Sequence, residues 1–256
     1  MVNQHKNLNS VQLGRLTIGA LLLLTVTFLN GSSAIAQEKQ IDSVVLFKPP
    51  PDEEQPETTE GAASRQDRVC SQDSSLRSQG RIGDRPKLTA LAPQRNYGLT
   101  VAERPTFWVY LPHTTARKAI LSIKAEGSNP HWQQSIDLTG ETGTMGIKLS
   151  DDAPVLSIGK NYQWAVILVC GDRPHPNDPV VTAGIKRIDE SQMSRNMLTS
   201  PRLSKAAEYA RHGIWYDALD LLLAEKTTSD NWQDLWVRYL QSGGLAEIAR
   251  EPVISY

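Results

Sequence analysis

Cysteine is scarce: Cys70 and Cys170 are the only two in 256 residues, which excludes a small disulfide-dense scaffold and a four-thiolate zinc cage. An excess of one charge is also missing. With 27 basic and 28 acidic residues the formal net charge is −1, so the balance points to neither nucleic acid nor an anionic membrane surface as a partner. No apolar run reaches the roughly 20 residues that a spanning helix needs. The sequence holds no glycine-flanked serine elbow, no glycine-rich phosphate loop and no pair of histidines at metal-binding spacing. No catalytic residue, cofactor or metal is therefore assigned from it.

What is present first is an export address. Lys6 and Arg15 precede an apolar run from Leu16 to Leu29, and Ala34-Ile35-Ala36 supplies a small-x-small cleavage pattern before Gln37. Residues 1–36 read as a cleaved signal peptide, which places the mature chain in the periplasm or outside the cell, with no stable membrane span. Taking Lys6 and Arg15 from the 27 basic residues leaves 25 against 28 acidic ones. An oxidising compartment permits a structural disulfide between Cys70 and Cys170. Closing a loop of about 100 residues is worth up to about 4.7 kcal/mol in the chain-entropy view. The competing reading is an exposed thiol at Cys70 and a buried one at Cys170.

Residues 37–86 read as a disordered linker. Lys48-Pro49-Pro50-Pro51 leads into Asp52, Glu53, Glu54, Glu57 and Glu60, then into polar sequence with scattered arginines. Too little apolar surface is available there to offset the entropy of ordering the backbone. Val44 to Phe47 is the exception, either a short docking strand or, the reading preferred here, an apolar patch beside the cleavage site.

From Lys87 the pattern becomes that of strands. Tyr162, Trp164, Val166, Leu168 and Cys170 fall on one face of a strand, and Gln163, Ala165, Ile167 and Val169 on the other. Both faces are nearly all apolar, which predicts an interior strand. Further strands are expected at 88–91, 106–111, 119–125, 132–138, 144–149 and 180–188, with Phe107 and Trp108 on opposite faces of the second. About seven short strands between residues 87 and 189 predict an antiparallel β-sandwich. Leu156, Gly159 and Tyr162, spaced by three, resemble the tyrosine corner of immunoglobulin-like sandwiches, in which a phenol bonds back to the backbone of the arch between sheets.

Residues 190–256 carry helical spacing. Pro201 suits the first turn of a helix capped by Ser200, with Leu203, Ala206, Ala207 and Ala210 on one face. A second helix carries Trp215, Leu219, Leu222 and Leu223. A third is expected to be capped by Ser229 or Asp230, with Trp232, Leu235 and Trp236 turned inward. Three to four helices follow. Ala210, Gly213, Trp215, Asp217, Ala218 and Leu219 weakly resemble a tetratricopeptide repeat, although such modules need about three copies to bury their faces.

The stretches GLTVAERPTFWVYLP, SIGKNYQWAVILVC and WQDLWVRYLQSGGLAEIAREPV together resemble an exported cyanobacterial family of domain of unknown function 928. The resemblance covers about residues 87 to 256 and implies an extracytoplasmic cyanobacterial protein. It brings no catalytic residues. His113, His131, His175 and His212 each lie beside a turn or helix end and read as solvated. Asp172, His175, Asn177 and Asp178 form the densest ligand set, yet lack the alternating oxygens and turn glycine of a calcium loop. The expectation is a non-catalytic exported module that contacts a protein partner or the envelope. The alternatives are glycan binding, with Trp132 as the exposed aromatic, and an uncharacterised hydrolase.

Overall fold

Among the described residues the strands come first in the chain and the helices last. The computed structural model describes residues 45–50, 70, 86–93, 97–193 and 200–254; the expected signal peptide and most of the expected linker lie outside them. The strands are β1 (Thr89–Ala90), β2 (Tyr97–Thr100), β3 (Phe107–Leu111), β4 (Lys118–Ala125), β5 (His131–Asp137), β6 (Gly143–Ile147), β7 (Asn161–Val169) and β8 (Val180–Arg187). The helices are α1 (Arg202–Arg211), α2 (Trp215–Leu223) and α3 (Trp232–Ser242), preceded by a 3-10 turn at Glu190–Gln192. No helix among the described residues is long and apolar enough to cross a membrane.

Two sheets result, one of three strands in the order β1-β3-β6 and one of five in the order β2-β8-β7-β4-β5. β7 lies in the middle of the larger sheet, as its double apolar face predicts, with Trp164, Val166 and Leu168 buried toward the core. β4 alternates as expected: Ala119, Leu121 and Ile123 are buried and their neighbours partly exposed or exposed. The sheets meet where Phe107 of β3 packs on Trp164 of β7, with ring centroids 5.1 Å apart.

The eight strands include one that alternation does not reveal. β2 pairs in parallel with β8, Tyr97 opposite Gly184 through Thr100 opposite Arg187. Its four residues, Tyr-Gly-Leu-Thr, are all buried, and its partner lies more than 80 residues downstream, so no local period marks it. The two expected helix caps also differ. α1 starts at Arg202 with Pro201 in the cap position, and α3 follows Asn231 rather than Ser229 or Asp230.

The helices share the apolar core of the sheets. Every residue of β3 is buried because its two faces have different covers. Phe107 faces the larger sheet, while the Trp108 indole donates to Asp220 of α2 and the Tyr110 hydroxyl to Glu251 of the tail. Trp215, at the start of α2, is the hub. It stacks on Tyr239 of α3 at 4.6 Å, meets Phe47 edge-on at 4.9 Å, and donates its indole N–H to the Leu91 carbonyl at 2.7 Å.

That contact overturns the preferred reading of the patch around Phe47. Val45 and Phe47 are buried, the Phe47 N–H donates to Ser242 Oγ and the Lys48 N–H to the Ala210 carbonyl. A few apolar residues dock here without regular strand structure, because the helices offer acceptors at Ala210 and Ser242 and an aromatic cleft. Cys70 and Cys170 form a disulfide across 100 residues. Cys70 is the buried partner, whereas Cys170, expected on the core face, lies just past the end of β7 and is exposed.

Gly243 makes the packing around Trp215 close. Its backbone is unstrained, with φ −87°, but a Cβ there would fall on the Trp215 six-membered ring. Gly243→Ala is expected to cost about 1 to 3 kcal/mol by overpacking. Chemical denaturation checks this, and an unchanged midpoint would show that the α2–α3 contact is looser than described.

Candidate functional site

The densest polar arrangement lies where α2 meets the strands. α2 has the sequence WYDALDLLL, and its two aspartates, three residues apart, share one side of an otherwise apolar helix. Asp217 accepts from the Val101 N–H at 3.1 Å, beyond the end of β2. Asp220 accepts from the Trp108 indole at 2.6 Å and the Thr106 hydroxyl at 3.0 Å. Tyr216, just before Asp217, accepts from the Trp164 indole at 2.8 Å and donates to the Gly184 carbonyl at 3.0 Å. One helix thus bonds just past the end of β2, to both neighbours of Phe107, to Trp164 and to β8.

Burial governs the protonation of these groups. It pushes the Asp217 carboxyl up to about 6, the Thr100 and Val101 hydrogen bonds opposing the rise and the Asp220 charge adding to it. Burial also raises Asp220, against the Trp108 and Thr106 bonds, and raises the Tyr216 phenol. Near α1, Glu190 accepts from the Tyr209 hydroxyl and from Lys205. Those bonds, Tyr209 first, lower its carboxyl against desolvation.

The sign for Asp217 follows directly. Its folded value lies above the ordinary 3.8, so the folded state holds the proton more tightly, and stability falls as pH rises from about 4 to about 6. The gap corresponds to at most about 3 kcal/mol. Asp217→Asn is expected to flatten the stability profile in that window. Denaturation at pH 4, 5 and 6.5 tests it, and parallel profiles for the two proteins would sink the assignment.

The arch before β7 is built as its spacing suggests. Leu156 is buried, Gly159 has φ +77°, a left-handed backbone suited to glycine, and the Tyr162 hydroxyl accepts from the Ser157 N–H at 2.9 Å. Arg187 of β8 donates to the Leu156 carbonyl at 2.8 Å. Beside the arch, Val155 and Ile158 are 44% and 55% exposed, two of the three large apolar side chains so open among the described residues.

The other residues singled out do not converge. His113, His131, His175 and His212 are all exposed and lie on separate loops or ends. In the Asp172–Asp178 loop, Asp178 is buried and accepts from the His175 N–H, while His175 Nδ1 accepts from the Asn177 N–H. The carboxylate is occupied by its own turn. Among the described residues no three His, Cys, Asp or Glu side chains stand together as a metal cage. Trp108 and Trp164 are fully buried. Trp132 is partly buried at the edge of the larger sheet, its residue paired with Ile123.

Asp220 goes unremarked in the sequence, and Asp217 figures there only as part of the repeat-like spacing, not as a buried polar group. A signal was present, since two acids in a nine-residue helix that is otherwise apolar require buried partners. The partners themselves, Val101, Thr106 and Trp108, are more than 100 residues away.

Among the described residues these features define a mainly β protein of two sheets with three helices set into the same core, its buried carboxylates serving as docking groups between them. The chain belongs to the family described as Domain of Unknown Function (DUF928), whose match spans residues 60–253 and takes in both cysteines. No curated protein matches it.

Proposed function

We propose that the chain is an exported, non-catalytic module that works by binding a protein partner at the cell envelope, its two sheets forming an immunoglobulin-like sandwich. The observation that carries this reading is the exposed apolar pair Val155 and Ile158 at the arch before β7. Exposed apolar side chains that lie together, rather than scattered singly, mark protein contact surfaces. The shifted titratable groups on α2, by contrast, are engaged in interior hydrogen bonds. The immunoglobulin-like assignment is supported by strand order: β3 and β6 pair in one sheet, β8, β7, β4 and β5 follow one another in the other, and Tyr162 bonds back to its arch. Export is supported by the disulfide and the amino-terminal sequence, and a cyanobacterial envelope setting is what the family resemblance implies.

The test compares the secreted protein with Ile158→Asp in cross-linking pull-downs from envelope extract. Ile158 is exposed, so folding should not change. An envelope protein captured by the native chain and lost with the variant supports the reading; the same proteins captured by both would refute the arch as the contact.

Glycan binding is the second reading, favoured by the partly exposed indole of Trp132. It predicts a saturable change in tryptophan fluorescence on adding cell-wall polysaccharide, abolished in Trp132→Ala.

A further inference from the structure

We propose that two copies of this chain associate by antiparallel pairing of β5 with β5, joining their larger sheets edge to edge. Sheet edges are adhesive unless guarded, and the other edges in this fold are short or covered. β1 has only two residues. β6 is covered by the tail, where the Thr144 N–H donates to the Pro252 carbonyl and the Ile254 N–H to the Thr144 carbonyl. β2 is covered by the start of α2, through Leu99 N–H to the Gly213 carbonyl and Val101 N–H to Asp217. β5 is seven residues long, pairs in unbroken register with β4, and contains no proline, lysine or bulge.

Its outward groups can be identified. The Leu138 N–H donates to the Arg117 carbonyl, so in this register the even-numbered residues of β5 bond to β4. His131, Gln133, Ser135 and Asp137 therefore direct their N–H and C=O groups outward. None of these four bonds to another backbone group among the described residues.

The sequence HWQQSID is self-complementary about Gln134. Antiparallel pairing about a two-fold axis there sets His131 against Asp137 and Gln133 against Ser135, each an outward-bonding residue facing another. On the other face Trp132 meets Ile136, an aromatic against a β-branched side chain. The His131 imidazole can donate to the Asp137 carboxylate, aromatic–aliphatic pairs are favourable cross-strand neighbours, and a one-residue slip would set outward groups against inward ones. An isologous contact of this kind closes as a dimer. The surface is distinct from the arch, so the inference does not rest on the proposed partner.

Sedimentation velocity of the full secreted chain, from about 1 to about 300 µM, is the test. A contact this small predicts a dimer with a dissociation constant on the order of micromolar. Ser135→Pro removes an outward N–H and leaves the ladder to β4 intact; it is expected to leave a monomer with native circular dichroism. His131→Asp sets like charges against each other and should weaken the dimer about tenfold, while His131→Asp combined with Asp137→His should restore it. The charge variants keep the test valid if Ser135→Pro fails to fold. A monomer at every concentration overturns the proposal, as does a dimer indifferent to the charge variants, or a β5 edge found paired with a different protein.

Discussion

Trp215→Ala is expected to bring the protein to the edge of unfolding. The indole is fully buried, stacked on Tyr239 and met edge-on by Phe47, so truncation opens a cavity shared by α2, α3 and the docked amino-terminal segment. Tryptophan-to-alanine changes in such sites cost about 3 to 5 kcal/mol. The Leu91 carbonyl would also lose the indole donor, and a buried acceptor left unpaired adds about 1 to 3 kcal/mol. Against a typical total of about 5 to 15 kcal/mol, most of the stability is gone. Urea denaturation measures it, with Leu46→Ala as a control, since Leu46 is 42% exposed and should change stability by no more than about 0.5 kcal/mol. A Trp215→Ala midpoint equal to the control's would refute the hub.

Breaking the disulfide is the second large effect. Cys70 and Cys170 are 100 residues apart, and releasing a loop of that length from the unfolded chain costs up to about 4.7 kcal/mol in the entropic account. Cys70 is buried, so its loss also removes packing. Denaturation with and without reductant, beside the Cys70→Ala/Cys170→Ala double variant, should give matching large losses. Equal stability with and without reductant would mean that the segment around Cys70 is held by other contacts.

Much of the β architecture could be read from the residues. β7 announces itself because a strand apolar on both faces must lie inside a sheet, and β4 because its alternation assigns one side to the core. The arch was legible for a similar reason: Leu156, Gly159 and Tyr162 each have a local task that their spacing encodes. β2 was not legible, since four buried residues beside a parallel partner show no period. Nor was the place of Phe47, whose docking depends on acceptors at Ala210 and Ser242 that no neighbour in sequence supplies.

By itself the sequence determined most of the strands, the three helices with their apolar faces, and the pair of cysteines available for bridging, because period, apolar pattern and residue type act over a few positions. Only the tertiary structure decided that the helices belong to the same core as the sheets, that Asp217 and Asp220 join them, and that β5 is left as the long open edge among the described strands. Those outcomes depend on which distant surfaces meet, and burial turns an aspartate on an apolar helix into a buried anchor only once its partners have arrived.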